Sequence, residues 1–267
     1  MSSLVTTEGI VHYEQTGRGK PVVLLHGWLN SWDVWRSIML ALSERHQFRV
    51  YALDFWGWGE SDKRPHQKFN LSSYASMVMQ FMDAMGIDRV PIIGHSMGGT
   101  VALTAALDYP ERTGQVAVVG SPIVGNSLNL LLNLAAKETV AKLAWRIPHI
   151  LDAITWWVLA GEGTDTYHMI RRDVSRTTME AFFHSINDLS RVDLRPRLPE
   201  IRIPVLAIFG ERDNIVHPNQ AEVIAQLVPQ SKVEIFPNSR HFPMRDQPEK
   251  FLQVLVEFLT HAQNHSS

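Results

Sequence analysis

The stretch VPIIGHSMGGT, residues 90–100, is the part of the sequence that decides the fold. Its first residues, Val90–Ile93, are apolar and rich in β-branched side chains, which is typical of a buried strand. Gly94-His95-Ser96-Met97-Gly98 follows at once, and a helical pattern runs over Thr100–Asp108 until Pro110 ends it. The stretch therefore predicts a strand, a sharp turn that carries Ser96, and a helix.

This arrangement indicates a reactive serine. A serine hydroxyl is a weak nucleophile at neutral pH and needs a nearby base to take its proton. In a Gly-x-Ser-x-Gly turn the glycines allow close backbone approach, so the serine stands clear of the sheet. The helix that begins beside Ser96 also directs the positive end of its dipole toward a developing oxyanion. We therefore predict Ser96 as the nucleophile.

Short apolar runs alternate with amphipathic helical patterns on both sides of this turn, which is typical of a parallel sheet with crossover helices. The predicted strands are Pro21–Leu25, Phe48–Leu53, Val90–Ile93, Gln115–Val119, Val205–Phe209 and Lys232–Phe236. The alternation stops between about Ile123 and Arg195, where the sequence is helical. We predict an α/β fold with a mostly parallel, doubly wound sheet: residues 1–122 and 196–267 form the core domain and 123–195 an inserted helical cap. The last helix is predicted from about Gln247, with Asp246 as its cap.

Twelve histidines compete for the role of the base. His241 follows the last predicted strand, at the carboxyl edge of the sheet, where ligand sites of open α/β sheets collect. His26 lies in the turn after the first of these strands, and His95 is expected to face away from Ser96. Asp213 follows Val205–Phe209 and so reaches the same edge, where a carboxylate could orient the imidazole.

Five motifs stand in one order along the chain, and together they resemble the α/β-hydrolase fold family over roughly Ile10 to Leu259. They are His26-Gly27, Asp54-x-x-Gly57-x-Gly59-x-Ser61, the turn at Ser96, Gly210-x-x-Asp213 and Ser239-x-His241. The resemblance implies a Ser–Asp–His triad in that chain order beneath a lid, with Asp213 rather than the nearby Glu211 as the acid. Some relatives carry the acid after the preceding strand, but this chain has Gly120-Ser121-Pro122 there, with no carboxylate. The resemblance also implies an oxyanion hole formed by the backbone N–H groups of Trp28 and Met97.

Large, soft side chains in the loops and the predicted cap are candidates for an apolar substrate pocket. The candidates are Trp56, Trp156, Met169, Phe182 and Phe242. Arg171, Arg172 and Arg176 could hold a substrate carboxylate, although a solvated helix face is the favoured interpretation of these arginines.

We predict a carboxylesterase-like hydrolase that cleaves esters of small to medium apolar substrates through an acyl-enzyme. Because the turn carries a serine, the sequence disfavours the chemistry of those family members whose nucleophile is an aspartate at this position. Carbon–carbon bond hydrolases keep the serine but usually place Asn before it and Trp after the histidine, where this chain has His95 and Phe242. That reading stays open, as do a cofactor-free perhydrolase and a small-molecule receptor on a hydrolase scaffold.

Composition narrows the function classes. The 267 residues include no cysteine, which excludes disulfides, thiolate metal sites and a Cys nucleophile. A net charge of −2 gives no reason to expect a nucleic-acid partner. No stretch has the ~18 uninterrupted apolar residues of a transmembrane helix, so we expect no membrane insertion and a cytoplasmic protein. We expect no cofactor or metal, a small apolar ester as the partner, and either a monomer or a homodimer.

Overall fold

The computed structural model describes residues 2–64, 68–147, 156, 159 and 161–261. Eight strands of the described chain form one sheet in the order β1-β2-β4-β3-β5-β6-β7-β8. The strands are β1 (Ser2–Val5), β2 (Ile10–Thr16), β3 (Pro21–Leu25), β4 (Arg49–Leu53), β5 (Val90–His95), β6 (Thr113–Val119), β7 (Val205–Gly210) and β8 (Ser231–Phe236). The pairs β1–β2 and β2–β4 are antiparallel, and every other pair is parallel. The predicted α/β fold with a mostly parallel sheet is confirmed.

Helices connect the parallel strands and cover both faces of the sheet. They are α1 (Arg36–His46), α2 (Leu71–Ala84), α3 (Met97–Asp108), α4 (Leu130–Ala135), α5 (Glu138–Arg146), α6 (Thr164–Val174), α7 (Met179–Leu189), α8 (Gln220–Leu227), α9 (Pro243–Asp246) and α10 (Pro248–His261). α1 contacts α10, while α2 contacts α3. β3, β5, β6 and β7 are almost wholly buried, as strands covered on both faces should be. None of the described helices is long and apolar enough to cross a membrane.

β4 and β5 lie on opposite sides of β3 in the sheet, so the chain passes over β3 between them. The strand order therefore reverses between β3 and β5. In open α/β sheets, ligands bind at such a reversal, beyond the carboxyl ends of the strands. Gly27 lies in the loop after β3 and Ser96 in the turn after β5, so both flank this point. The sheet therefore places the predicted nucleophile at the position where this fold forms a crevice.

The described part of the region between β6 and β7 consists mainly of helices and loops. It contains α4 to α7, and no strand of the sheet lies among its described residues. Residues 148–155, 157, 158 and 160 of the predicted cap lie outside the described residues. Cap boundaries at 123 and 195 stay a prediction.

The prediction that Asp246 caps the last helix is wrong. That helix, α10, begins at Pro248, and Asp246 ends the short helix α9. Asp246 Oδ2 instead accepts hydrogen bonds from Ser239 Oγ, at 2.6 Å, and from Arg240 N, at 2.8 Å. The carboxylate thus stabilises the loop before His241, because both of its hydrogen-bond donors belong to that loop.

The motif that follows β4, Asp54-x-x-Gly57-x-Gly59-x-Ser61, is organised by the carboxylate of Asp54. Its buried carboxylate accepts hydrogen bonds from Trp32 N at 2.7 Å, His12 Nδ1 at 2.8 Å and Glu60 N at 3.0 Å. Burial alone would raise the pKa of Asp54, but these donors and the nearby His26 hold it below its ordinary value. Gly59, with φ +50°, passes so close to the carboxylate that a Cβ would overlap it. The motif is therefore the scaffold of the loops that border Ser96.

Candidate active site

Ser96 lies in a strained turn between β5 and α3. Its φ is +51° and its ψ is −121°, a region that residues other than glycine rarely adopt. Its backbone N–H donates to Val119 O at 2.8 Å, which anchors the turn to β6. A Cβ on Gly98 would lie 2.5 Å from the carbonyl oxygens of Leu25 and His26, so only glycine fits there. Strain of this kind persists where the surrounding contacts fix it, and it aims the Ser96 side chain out of the turn.

His241 and Asp213 meet at the carboxyl edge of the sheet. His241 Nδ1 lies 2.8 Å from Asp213 Oδ2, and both side chains are buried. The other carboxylate oxygen, Oδ1, accepts the backbone N–H groups of Ile215 at 2.8 Å and Val216 at 3.0 Å. This fully used carboxylate fixes the imidazole with Nδ1 protonated, so that Nε2 is the free, basic nitrogen.

The charges around His241 favour its protonated form. Burial opposes protonation, but the charge and hydrogen bond of Asp213 and the charge of Glu162 outweigh it, and they raise the pKa of His241. Ser96 and His241 line one cavity. A hydroxyl and an oriented imidazole beside the same cavity are the groups needed to attack a carbonyl with general-base assistance.

Two side chains that the sequence analysis did not assign hold the backbone of His241. His95 Nε2 lies 3.0 Å from the His241 carbonyl oxygen and must carry the proton that it donates there. Burial, followed by the charge of His241, lowers the pKa of His95 well below its ordinary value, so His95 is neutral. On the other side, His241 N donates to Glu162 Oε1 at 3.2 Å. The only sequence signal for Glu162 is the glycine on each side of it.

The predicted oxyanion donors lie on the two segments that meet at Gly98. Met97 is the first residue of α3, so its N–H has no acceptor within the helix. Trp28 belongs to the loop after β3, in which Asn30 N donates to Gly27 O at 3.2 Å and Asn30 Nδ2 to Trp28 O at 3.2 Å. A Cβ on Gly27 would lie 3.0 Å from Ser96 Cβ, so this loop contacts the turn directly. The loop and the helix start are therefore adjacent, as two oxyanion donors require.

The loop after β3 is itself fixed by His26. Phe55 N donates to His26 Nε2 at 3.1 Å, so the proton resides on Nδ1, which donates to Gly27 O at 2.7 Å. Burial lowers the pKa of His26, although Asp54 and the Gly27 carbonyl oppose this, and the ring stays neutral. His26 thus has a structural reason to precede the glycine of this loop.

The cavity beside Ser96 is apolar and extends under helices that lie between β6 and β7. Leucine, isoleucine and aromatic side chains form most of its wall: Trp28, Leu29, Leu128, Leu132, Leu159, Ile170, Ile186, Leu189, Ile215 and Phe242. Asn30 is the one polar residue there besides Ser96 and His241, and its Oδ1 is buried without a hydrogen-bond partner. Among its described lining residues there is no lysine or arginine.

Of the five predicted pocket residues, only Phe242 lines this cavity. Trp56 is completely buried in the core, and Trp156 is 62% exposed. Phe182 packs behind the wall against Trp28, with ring centroids 4.6 Å apart, and its carbonyl accepts the Trp28 indole N–H at 3.0 Å. Met169 is buried and its sulfur lies 3.6 Å from Arg245 Nη1. Leucine and isoleucine side chains form most of the wall instead, and the rings of Trp28 and Phe242 complete it.

Two of the three candidate arginines pair with acids outside the cavity. Arg172 pairs with Asp33 and Asp173, at 2.7 and 2.8 Å. Arg176 pairs with Glu60 at 3.2 Å. Neither these two nor Arg171 lines the cavity beside Ser96.

Comparison with known proteins agrees with this architecture. The model of the alpha/beta hydrolase fold family matches residues 20–155 and 169–248. A 2-hydroxy-6-oxononadienedioate/2-hydroxy-6-oxononatrienedioate hydrolase of Paraburkholderia phymatum is 29% identical over 271 residues, covering 95% of this chain and 92% of that protein. An enol-lactonase from Burkholderia xenovorans has a TM-score of 0.82 at 22% identity, covering 97% of this chain and all of the other. An esterase from Exiguobacterium antarcticum has a TM-score of 0.82 at 22% identity, covering 96% and 98%. These two structural likenesses show the fold alone.

Proposed function

Since the chain belongs to the α/β-hydrolase fold family and is a hydrolase, we propose that it cleaves carboxylic esters of small to medium apolar substrates through an acyl-enzyme. Ser96 is the nucleophile, His241 the general base and Asp213 the acid that orients the base. The observation that carries this proposal is the 2.8 Å contact between His241 Nδ1 and Asp213 Oδ2 on the cavity that Ser96 also lines.

In this mechanism the free Nε2 of His241 takes the Ser96 proton as the oxygen attacks the ester carbonyl. The backbone N–H groups of Trp28 and Met97 stabilise the oxyanion of the tetrahedral intermediate. The imidazolium then gives its proton to the leaving alcohol, and the acyl group remains on Ser96. A water molecule, deprotonated by His241, releases the acid and restores the serine. No cofactor enters any step.

The apolar wall of the cavity supports an uncharged acyl or alcohol group as the part of the substrate bound there. Burial of apolar surface contributes about 25 cal/mol per Å², so each methylene placed against this wall adds about 0.8 kcal/mol of binding. A substrate carboxylate would find no lysine or arginine among the described lining residues. Such an uncompensated charge is costly to bury.

Carbon–carbon bond hydrolysis is the second candidate, because the Paraburkholderia relative is named for a 2-hydroxy-6-oxo dienedioate. The same triad could serve it. That name describes a dicarboxylate, which the apolar wall around Leu132 and Ile186 disfavours. Ester hydrolysis is therefore the first choice. Attack of hydrogen peroxide in place of water on the same acyl-enzyme would release a peracid and restore the serine, as a side activity.

The test compares wild type with Ser96→Ala on p-nitrophenyl acetate, p-nitrophenyl butyrate and 2-hydroxy-6-oxononadienedioate. We expect turnover of the esters that rises from acetate to butyrate and falls at least about 10³-fold in the variant. Faster turnover of the dienedioate than of any ester would favour the second candidate. Undiminished ester hydrolysis by Ser96→Ala would refute the role of Ser96.

A fluorophosphonate probe separates an enzyme from a receptor. Covalent labelling at Ser96 together with ester turnover supports the enzyme. Tight binding of a small apolar molecule with negligible turnover of the whole panel would instead favour a receptor on a hydrolase scaffold.

A further inference from the structure

The segment Gly161-Glu162-Gly163 belongs to the helical region between β6 and β7. It packs against the loop that carries His241. It lies directly before α6, where Tyr167 N donates to Gly163 O at 3.2 Å, and Glu162 N donates to Leu159 O at 2.9 Å. Both glycines have positive φ, +95° and +87°. The Glu162 side chain is only 8% exposed, and its Oε1 accepts the His241 backbone N–H.

The same segment also packs on the residue before His241. A Cβ on Gly161 would lie 2.5 Å from Arg240 Cζ, so the backbone of Gly161 rests against the guanidinium group. The cap thus contacts two consecutive residues of the loop, one through a bare backbone and one through a buried carboxylate. The second carboxylate oxygen, Oε2, is buried and has no hydrogen-bond partner. A carboxylate that uses one oxygen and leaves the other unpaired is costly unless its contact or its charge is needed.

We propose that Glu162 is a positioning residue, by which the cap holds the His241 base in place and tunes its protonation. This inference rests on the proposed function. The carboxylate acts in two separable ways: its oxygen fixes the backbone of His241, and its negative charge stabilises the imidazolium. Because Glu162 belongs to the inserted region, a displacement of that region would withdraw both effects from the base.

The surroundings of Glu162 set the pH range of the second effect, because the carboxylate must be ionised to stabilise the imidazolium. Burial raises its pKa to about 7, an increase that His241 and its N–H oppose and that the charges of Asp213 and Asp246 reinforce. Glu162 in turn is one of the groups that raise the pKa of His241. The other charged groups that face this region are Arg240, against Gly161, and the residues beside Glu162 in a neighbouring cleft, Asp33, Asp165, Arg245 and Asp246.

The experiment measures the rate at which a fluorophosphonate labels Ser96 as a function of pH, for the full chain. Glu162→Gln removes the charge and keeps an oxygen that can accept the His241 N–H. Glu162→Ala removes both. Asp165→Asn is the matched control, because Asp165 lies in the same cleft but no hydrogen bond joins it to His241. Melting temperatures establish that each variant is folded.

We expect the acid limb of the Glu162→Gln profile to move down by about half a pH unit or more, which raises labelling on that limb about threefold. Its plateau should stay within about twofold of wild type, whereas the plateau of Glu162→Ala should fall about tenfold as the base loses its support. Asp165→Asn should leave both unchanged. If Glu162→Ala does not fold, Glu162→Asp, which keeps the charge but withdraws the acceptor, should lower the plateau and leave the limb in place.

An unmoved limb in Glu162→Gln, with normal labelling of the wild type, would overturn the proposal for Glu162 alone. An equal fall of the plateau in Glu162→Gln and Glu162→Ala would also overturn it, because a merely structural side chain would not be rescued by glutamine. Failure of the wild type to label at Ser96 would instead refute the proposed function, and the role of Glu162 with it.

Discussion

The substitution Asp213→Asn tests the triad through the tautomer of His241. Asp213 Oδ1 accepts two backbone N–H groups, those of Ile215 and Val216, while Oδ2 faces His241 Nδ1. An asparagine at this position can turn its oxygen toward the two amides or toward the imidazole, but not toward both. The choice between these orientations decides which nitrogen of His241 carries the proton.

The two amides fix the orientation. Turning the NH₂ group toward them would leave two buried donors without acceptors, at a cost of about 1–3 kcal/mol each. A total of at least about 2 kcal/mol corresponds to a preference of about 30-fold or more for the orientation with oxygen toward the amides. The NH₂ group of the substituted side chain then faces Nδ1 of His241, which must become the acceptor. The proton moves to Nε2, so the nitrogen that the proposed mechanism uses to accept the Ser96 proton is no longer free to do so.

We therefore expect Asp213→Asn to lower kcat/KM for p-nitrophenyl butyrate by about 10³–10⁴-fold with little loss of stability. ¹⁵N chemical shifts of the imidazole would show Nε2 protonated in the variant and Nδ1 protonated in the wild type. Glu211→Gln is the matched control, since Glu211 lies in the same turn and its carboxylate accepts from Asn238 N at the surface. More than a tenth of wild-type activity in Asp213→Asn, or an equal loss in Glu211→Gln, would refute the assignment of the acid.

Further predictions concern the turn, the scaffold, the base and the pocket. Gly98→Ala should lower the free energy of unfolding by about 2–4 kcal/mol, because its Cβ would collide with two carbonyl oxygens; an unchanged urea midpoint would contradict this. Asp54→Asn should lower the free energy of unfolding by about 2–3 kcal/mol in the same assay, because the carboxylate accepts three hydrogen bonds that one amide cannot all keep. A loss below about 0.5 kcal/mol, roughly that of a surface substitution, would count against this role of Asp54. The rate kcat/KM should rise with pH through a midpoint above 6.5, since only neutral His241 can take the serine proton and its pKa is raised; a midpoint below 6.5 would be inconsistent with that environment. Ile186→Phe should fill part of the cavity and lower the ratio of butyrate to acetate hydrolysis at least about threefold, and an unchanged ratio would place the acyl chain elsewhere.

The parallel part of the sheet could be predicted because its strands are buried on both faces. Such strands read as continuous apolar runs, and Pro21–Leu25 is found with the predicted bounds. β1 and β2 were not predicted. Ile10–Thr16 mixes apolar, polar and charged residues, and it forms a strand by pairing with β4, some forty residues away. That pairing leaves no local pattern in the sequence.

The loops that carry Ser96, Asp213 and His241 could be located from the sequence for a related reason. The residues that line the pocket could not. Ser96, Asp213 and His241 each follow a strand that reads clearly, and the carboxyl ends of parallel strands share one edge. The wall of the cavity depends on which side of each cap helix faces the core, and several side chains of similar character compete for it. Phe182 is buried behind the wall and Trp156 is exposed, although both are aromatic residues of the same region. Side-chain type alone does not distinguish these outcomes.

The position of His241 illustrates how this fold obtains a precise site from an irregular loop. Its carbonyl accepts from His95, which precedes Ser96 in the turn, so one hydrogen bond across the sheet edge links the segments that carry the proposed nucleophile and the proposed base. Its Nδ1 is held by Asp213 after β7, and its N–H by Glu162 of the inserted region. Three elements distant in sequence thus fix the backbone and the ring separately. A loop without regular hydrogen bonds holds an imidazole in one orientation when partners of this kind fix both its backbone and its ring. Here the partners reach His241 from the turn before α3, from the loop after β7 and from the helical region between β6 and β7.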